Sequence, residues 1–150
     1  MSYQNQDDKF THIVNEYNKL EEFKEKCKNP KFCEFRIEKG ITLKEIPEDC
    51  ISQKLCEIAV KNDVSNLQYV PKEMRTQELY EIAVKANGYC LQYVPKEMIT
   101  PELCEIAVKD NGYGLQYVPE EMRTKELCKI AVKDNRYCKQ YVPVKMRTWI

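Results

Sequence analysis

The sequence predicts an all-α fold, an α-solenoid of short helix-turn-helix repeats of 24 residues with an N-terminal amphipathic capping helix. Three observations predict it. Ala-Val-Lys recurs at 59–61, 83–85, 107–109 and 131–133, and Gln-Tyr-Val-Pro at 68–71, 92–95, 116–119 and 140–143. The interval between copies is 24 residues every time. Helix caps and stops fall at matching places in each copy. Self-similarity at a short fixed period marks units that bury their apolar faces only by stacking on neighbours.

The elements follow in chain order. Phe10, Ile13, Val14, Tyr17, Leu20 and Phe23 keep helical spacing over residues 8–26, with Asp7, Asp8, Glu16, Glu21 and Glu22 among them. This pattern is an amphipathic helix, expected to pack on the first unit; the rival is a helix that protrudes to bind a partner. Lys28-Asn29-Pro30 breaks it, and Phe32, Cys33, Phe35 and Ile37 read as a degenerate first helix. Residues 1–40 are therefore an N-terminal helical cap, and 41–150 the repeat stack. Ile46-Pro47 stands in the register of Val70-Pro71, so 41–47 is the end of a unit. Full units occupy 48–71, 72–95, 96–119 and 120–143. A fifth begins at 144, and Trp149 with Ile150 is expected to cover that end.

Within a unit, Ser52, Thr76, Thr100 and Thr124 stand where an N-cap belongs, their hydroxyls able to accept orphan first-turn amides. Pro101 occupies the first helical position, where proline is best tolerated. Glu78, Glu102 and Glu126 complement the helix dipole. With 100° per residue, Leu79, Tyr80, Ile82, Ala83 and Val84 fall on the covered side, while Glu81 and Lys85 form a narrow wet stripe. Glu57–Lys61, Glu81–Lys85 and Glu105–Lys109 are i,i+4 pairs in the favoured order; Lys129 and Lys133 break the series. Asn87-Gly88 and Asn111-Gly112 are expected to end the helix, glycine supplying a left-handed residue. The second element, such as Gly88 to Val94, is read as a short helix; a strand is its alternative. It ends before Pro95, because the residue preceding proline avoids the α region. Pro95-Lys96-Glu97-Met98 then turns the chain, with Met98 packing inward.

Composition bounds what such a stack does. Of 150 residues, 43% are apolar and 32% charged, as in a folded, water-soluble chain. No apolar run reaches the roughly 18–20 residues that span a bilayer. The polar, acidic start MSYQNQDDKF does not look like a signal peptide, so a cytoplasmic location is expected. Lysine plus arginine equals aspartate plus glutamate, 24 against 24, without the basic surplus of nucleic-acid proteins. Eight cysteines suggest disulfides at first, yet Cys56, Cys104 and Cys128 hold one repeat position, filled by Tyr80 in the second unit. Equivalent positions on stacked helices lie about 8–10 Å apart, too far for a disulfide. They read as buried thiols in a reducing compartment. No CxxC pair exists and His12 is the sole histidine, so neither metal nor cofactor is expected.

The run of cap, Glu-Leu-Cys-Glu-Ile-Ala-Val-Lys, Asn-Gly and Leu-Gln-Tyr-Val-Pro-Glu-Glu-Met, seen whole at 102–122, resembles a known repeat. It is similar to a helical repeat domain of unknown function abundant in giant DNA viruses of amoebae (mimivirus-like) and met also in protists. The resemblance covers about residues 41–150. It implies a virus-encoded protein acting inside the host cell, and it carries no catalytic residues.

Catalysis finds little support in the residues. His12 lies at the polar border of the first helix, and pairs such as Glu120-Glu121 face solvent at repeat positions. No glycine-rich phosphate loop exists; only four glycines occur. No enzyme is expected. The tyrosines are the stronger feature. Tyr69, Tyr93, Tyr117 and Tyr141 form one column, and Tyr89, Tyr113 and Tyr137 another four residues earlier. An i,i+4 spacing places both on one side of an α-helix. Gln68, Gln92, Gln116 and Gln140 flank them. The rings either pack between units or form an extended amphipathic surface for a protein partner, tyrosine being enriched at binding hot spots. Lys61, Lys85, Lys109 and Lys133, with Lys72, Lys96, Arg75, Arg123 and Arg147, form a second stripe. Lysine and tyrosine at fixed pitch would suit single-stranded nucleic acid, but the glutamates paired with the lysines favour a solvated charged face. A scaffold for protein–protein interaction is the expectation; nucleic-acid binding and structural self-association are the alternatives.

Overall fold

The computed structural model describes residues 16 and 19–149. The parts of the predicted first helix at Phe10, Ile13, Val14 and Tyr17, along with His12, lie outside the described residues. So do Ile150 and the side chain of Trp149, on which the expected end cover rests. Among the described residues every regular element is helical and none is a strand. Helix α1 includes residues 19–27, followed by α2 (Pro30–Glu38), α3 (Gln53–Asn62), α4 (Gln77–Ala86), α5 (Pro101–Asp110) and α6 (Lys125–Asp134). The architecture is an all-helical repeat fold.

Helices α3 to α6 begin where the caps predict. The amides of Leu55, Leu79, Leu103 and Leu127 donate to the hydroxyls of Ser52, Thr76, Thr100 and Thr124 at 3.2, 3.3, 3.2 and 3.2 Å. Asn29 caps α2 by accepting from Lys31, with Pro30 behind it at the first helical position. Phe23 of α1 meets Phe32 of α2 edge-to-face at 6.1 Å. The leucine, alanine and valine faces of the repeat helices close the core, Ala59, Ala83, Ala107 and Ala131 all fully buried. Lys85–Glu81 and Lys109–Glu105 pair along the wet stripe.

The second element is a helix of a tighter kind. Val64–Tyr69, Gly88–Tyr93, Gly112–Tyr117 and Arg136–Tyr141 are six-residue 3-10 helices. Each stops one residue before its Val-Pro, and a three-residue 3-10 turn such as Lys96–Met98 leads to the next cap, Met98 half-buried against the core.

Gly88 and Gly112 do not take the left-handed conformation expected of them. Only Gly40 has a positive φ among the described residues, at 90°. The preceding asparagine makes the junction instead. Asn87 is extended, donates its amide to the Ala83 carbonyl to close α4, and accepts from the Tyr89 amide at 2.9 Å to open the 3-10 helix. Asn111 and Asn135 repeat this. Asp63 does so in the first unit, its carboxyl held below the usual carboxylate range by the Ser65 amide. The glycines serve close approach. A Cβ at Gly88 would lie 2.5 Å from the Ala107 carbonyl oxygen, and one at Gly112 2.6 Å from that of Ala131. Gly88–Tyr93 and Gly112–Tyr117 thus lie directly on the α-helix of the next unit, and the fully buried alanines 107 and 131 are what let them come so near.

Candidate functional site

Two polar devices hold successive units in register. The Gly88 amide donates to Asp110 Oδ2 at 2.8 Å, and the Gly112 amide to Asp134 Oδ2 at 2.9 Å. These are orphan amides at the start of a 3-10 helix, satisfied by the last residue of the next unit's α-helix. At the first junction both partners change together: Val64 replaces the glycine and Ala86 the aspartate. Arg136 replaces the glycine of the fourth unit, and Lys139 replaces the leucine of Leu43, Leu67, Leu91 and Leu115.

The second device is arginine. Arg123 donates Nε to the Val118 carbonyl at 2.9 Å, Nη2 to that of Gln116 at 3.2 Å and Nη1 to that of Tyr141 in the next unit at 2.6 Å. Arg75 and Arg147 make the first two bonds, to Val70 and Gln68 and to Val142 and Gln140. Buried Ile99 fills this position in the third unit. These guanidiniums therefore tie off the carbonyl ends of the 3-10 helices, which removes them from the basic stripe proposed on sequence grounds. Asn66 does comparable work in the first unit. It is 3% exposed, accepts the Leu43 amide at 2.8 Å and donates to the carbonyls of Ala59 and Asp63.

The tyrosine columns come together differently from the α-helical expectation. With three residues per turn, positions four apart are rotated by about 120°, so Tyr89 and Tyr93 do not share one side of their 3-10 helix. Their columns meet across the unit boundary instead. Tyr89 packs edge-to-face on Tyr117 with centroids 6.3 Å apart, and Tyr113 on Tyr141 at 6.5 Å. Tyr69, Tyr89, Tyr113, Tyr117 and Tyr141 are half-buried, whereas Tyr93 is 61% and Tyr137 62% exposed. Tyr93 is bare for a reason visible in the register. The residue that would meet it is Ser65, where the other units have Tyr89, Tyr113 and Tyr137. Gln68, Gln92 and Gln140 are exposed and Gln116 half-buried, so the amide column does border the rings.

A groove of about 360 Å³ opens at this first junction, lined by Val64, Ser65, Gln68, Arg75, Tyr80 and Tyr93 among others. It has no counterpart in sequence reasoning based on the repeat, because it arises where the repeat is broken. The signal was the set of departures Val64, Ser65 and Tyr80.

No group of three or more His, Cys, Asp or Glu side chains is arranged for a metal ion among the described residues. All eight cysteines are free thiols. Burial pushes Cys56 and Cys104 up to about 11. Cys27 is pushed up to about 12, by burial first and then by neighbouring Cys33 and Cys50. Neutral, enclosed thiols of this kind are poor nucleophiles. Among the described residues no helix is long and apolar enough to cross a membrane.

Fold and site together define a tandem helical repeat protein. A family model, the domain of unknown function DUF4116, matches residues 53–99 and again 100–147, and the chain belongs to that family. Each match covers about two of the 24-residue units. No curated protein and no solved structure matches the chain.

Proposed function

We propose that this protein is a non-enzymatic scaffold that binds another protein along the tyrosine and glutamine flank of its stack. One observation carries the reading. Four successive 3-10 helices present the same pair of side chains, an amide and a phenol, at a constant pitch, and at Tyr93 and Tyr137 the ring stands open. A rigid ring with two rotatable bonds and a polar tip gives large contact area at small entropic cost. The lysine stripe supports nucleic-acid binding less well: Lys85 and Lys109 are paired with glutamates, and Arg75, Arg123 and Arg147 are spent on backbone carbonyls. A virus-encoded protein working in the host cytoplasm is part of the same proposal, by resemblance of the repeat.

Y93A and Y137A test it, because both rings are open and their removal leaves the core intact. A partner recovered from cell extract and then purified should bind the wild-type chain saturably and both variants several-fold more weakly. Equal binding by wild type and the double variant would refute the assignment. So would a gel shift of single-stranded RNA that weakens steeply with salt, the mark of phosphate contacts.

A further inference from the structure

We infer that the groove at the first unit junction is a receptor for a tyrosine side chain presented by a protein partner. The inference rests on the scaffold reading and names the specific feature that reading leaves open. The molecule supplies its own template. At the second and third junctions the equivalent place is filled from within, by Tyr89 against Tyr117 and by Tyr113 against Tyr141, in the same edge-to-face geometry with interplanar angles of 70°. At the first junction the receiving ring, Tyr93, is present and the donor ring is absent, since Ser65 ends at a hydroxyl. Ser65 and Tyr93 both line the groove.

The junction is also held open. Val64 carries a Cβ where the second and third units allow only hydrogen, and the Gly–Asp hydrogen bond is replaced by Val64 and Ala86. The segment Val64–Tyr69 accordingly touches α4 far less than Gly88–Tyr93 touches α5. Tyr80 stands where three units have cysteine. It is 3% exposed and lines the groove. Arg75 lines the groove too, its guanidinium fixed by the Val70 and Gln68 carbonyls, and a guanidinium so held can pair with an aromatic ring. The volume stands at the small end for ligand sites and suits one side chain better than a cofactor. The groove continues the Tyr89–Tyr117 and Tyr113–Tyr141 ladder, so a partner tyrosine seated here would complete a series the chain itself leaves short by one ring.

The probe is N-acetyl-tyrosinamide, titrated into the isotope-labelled full chain and followed by NMR. Saturable shifts are expected at Ser65, Tyr80 and Tyr93 and not at Tyr117 or Tyr141. S65Y supplies the missing ring and should weaken binding roughly tenfold or more, the scale of one aromatic pair with its burial, while the melting temperature is kept or raised. Y93A should weaken binding with little change in stability, and serves if S65Y misfolds. Equal affinity for N-acetyl-leucinamide, or affinity unaltered by S65Y and Y93A, would overturn the inference. A large gain in affinity on Y3S/F10S would overturn it too, by showing that the chain's own N-terminal rings occupy the groove. The probe reads the groove alone, whereas recovery of a partner through Y93A- and Y137A-sensitive binding reads the scaffold, so either result can fail without the other.

Discussion

Gly88→Ala sets two effects of opposite sign against each other, and the structure decides between them. Gly88 has no positive φ. On backbone grounds alone, alanine there narrows the unfolded ensemble and should stabilise by about 0.4–1 kcal/mol. Against this, the new Cβ would lie 2.5 Å from the Ala107 carbonyl oxygen and 3.0 Å from its Cα. Those are main-chain atoms of a packed helix and cannot swing away. Overfilling of this kind costs about 1–3 kcal/mol. Moving the segment outward also stretches the 2.8 Å bond to Asp110, worth about 1–2 kcal/mol for a charged acceptor that is exposed. The net expectation is a loss of about 1–4 kcal/mol, or several degrees in melting temperature. Far-UV circular dichroism during urea and thermal unfolding measures it, with D110A and the G88A/D110A pair completing a cycle. Because the displaced segment has already lost the bond, the double variant should be less destabilised than the two single losses added. A G88A protein as stable as wild type, or strictly additive losses, would show that close approach to Ala107 does not determine the docking of these units.

The remaining expectations concern the other two devices and the thiols. R123A should cost more than R75A in urea unfolding, since Arg123 makes three carbonyl bonds and Arg75 two, and R123K should recover little because an ammonium cannot fork. N66L should lose about 1–3 kcal/mol by stranding the Leu43 amide, and N66D should recover none of it, because a buried carboxylate would face the Ala59 and Asp63 carbonyls to which Asn66 donates; an N66L protein as stable as wild type would refute the role of these bonds. Cys56 and Cys104 are raised in the folded chain from 9.0 to about 11, so their stabilising contribution is complete below pH 9 and disappears as pH climbs toward 11. The slope is about 1.4 kcal/mol per pH unit for each thiol in that window. The urea midpoint should fall correspondingly, and C56A/C104A should flatten that fall; an unchanged slope in the variant would refute it.

The α-helices were legible because several independent signals coincide in them. Thr76 caps, Glu78 follows in the first turn, and Leu79, Ala83 and Val84 sit on one arc; the structure uses all of these as expected. The 3-10 element was legible as helix but not as 3-10. Six residues such as Gly88 to Tyr93 span too few turns to separate three residues per turn from 3.6. The consequence reached the site, for the two tyrosine columns meet between units and not along one helix. Gly88 was misassigned because its role depends on Ala107 and Asp110, which no local rule connects to it. A trace was nonetheless present: glycine and aspartate 22 residues apart occur together at 88 and 110 and at 112 and 134, and vanish together at 64 and 86. Ser65 marks the groove at the first junction by failing to match, and periodicity is blind to such exceptions by construction.

Arg136 bears on any attempt to lengthen this array. Where Gly88 and Gly112 admit only a hydrogen atom, it sets a long cationic side chain, and Lys139 adds a second charge at a site its predecessors keep as leucine. A further consensus unit grafted after residue 143 would meet a charged, thickened seat and settle loosely, as the second unit does over Val64. Restoring glycine at 136 and leucine at 139 should turn that seat into one that accepts extension, so two side chains set the rule for how many modules can be joined in the tight mode.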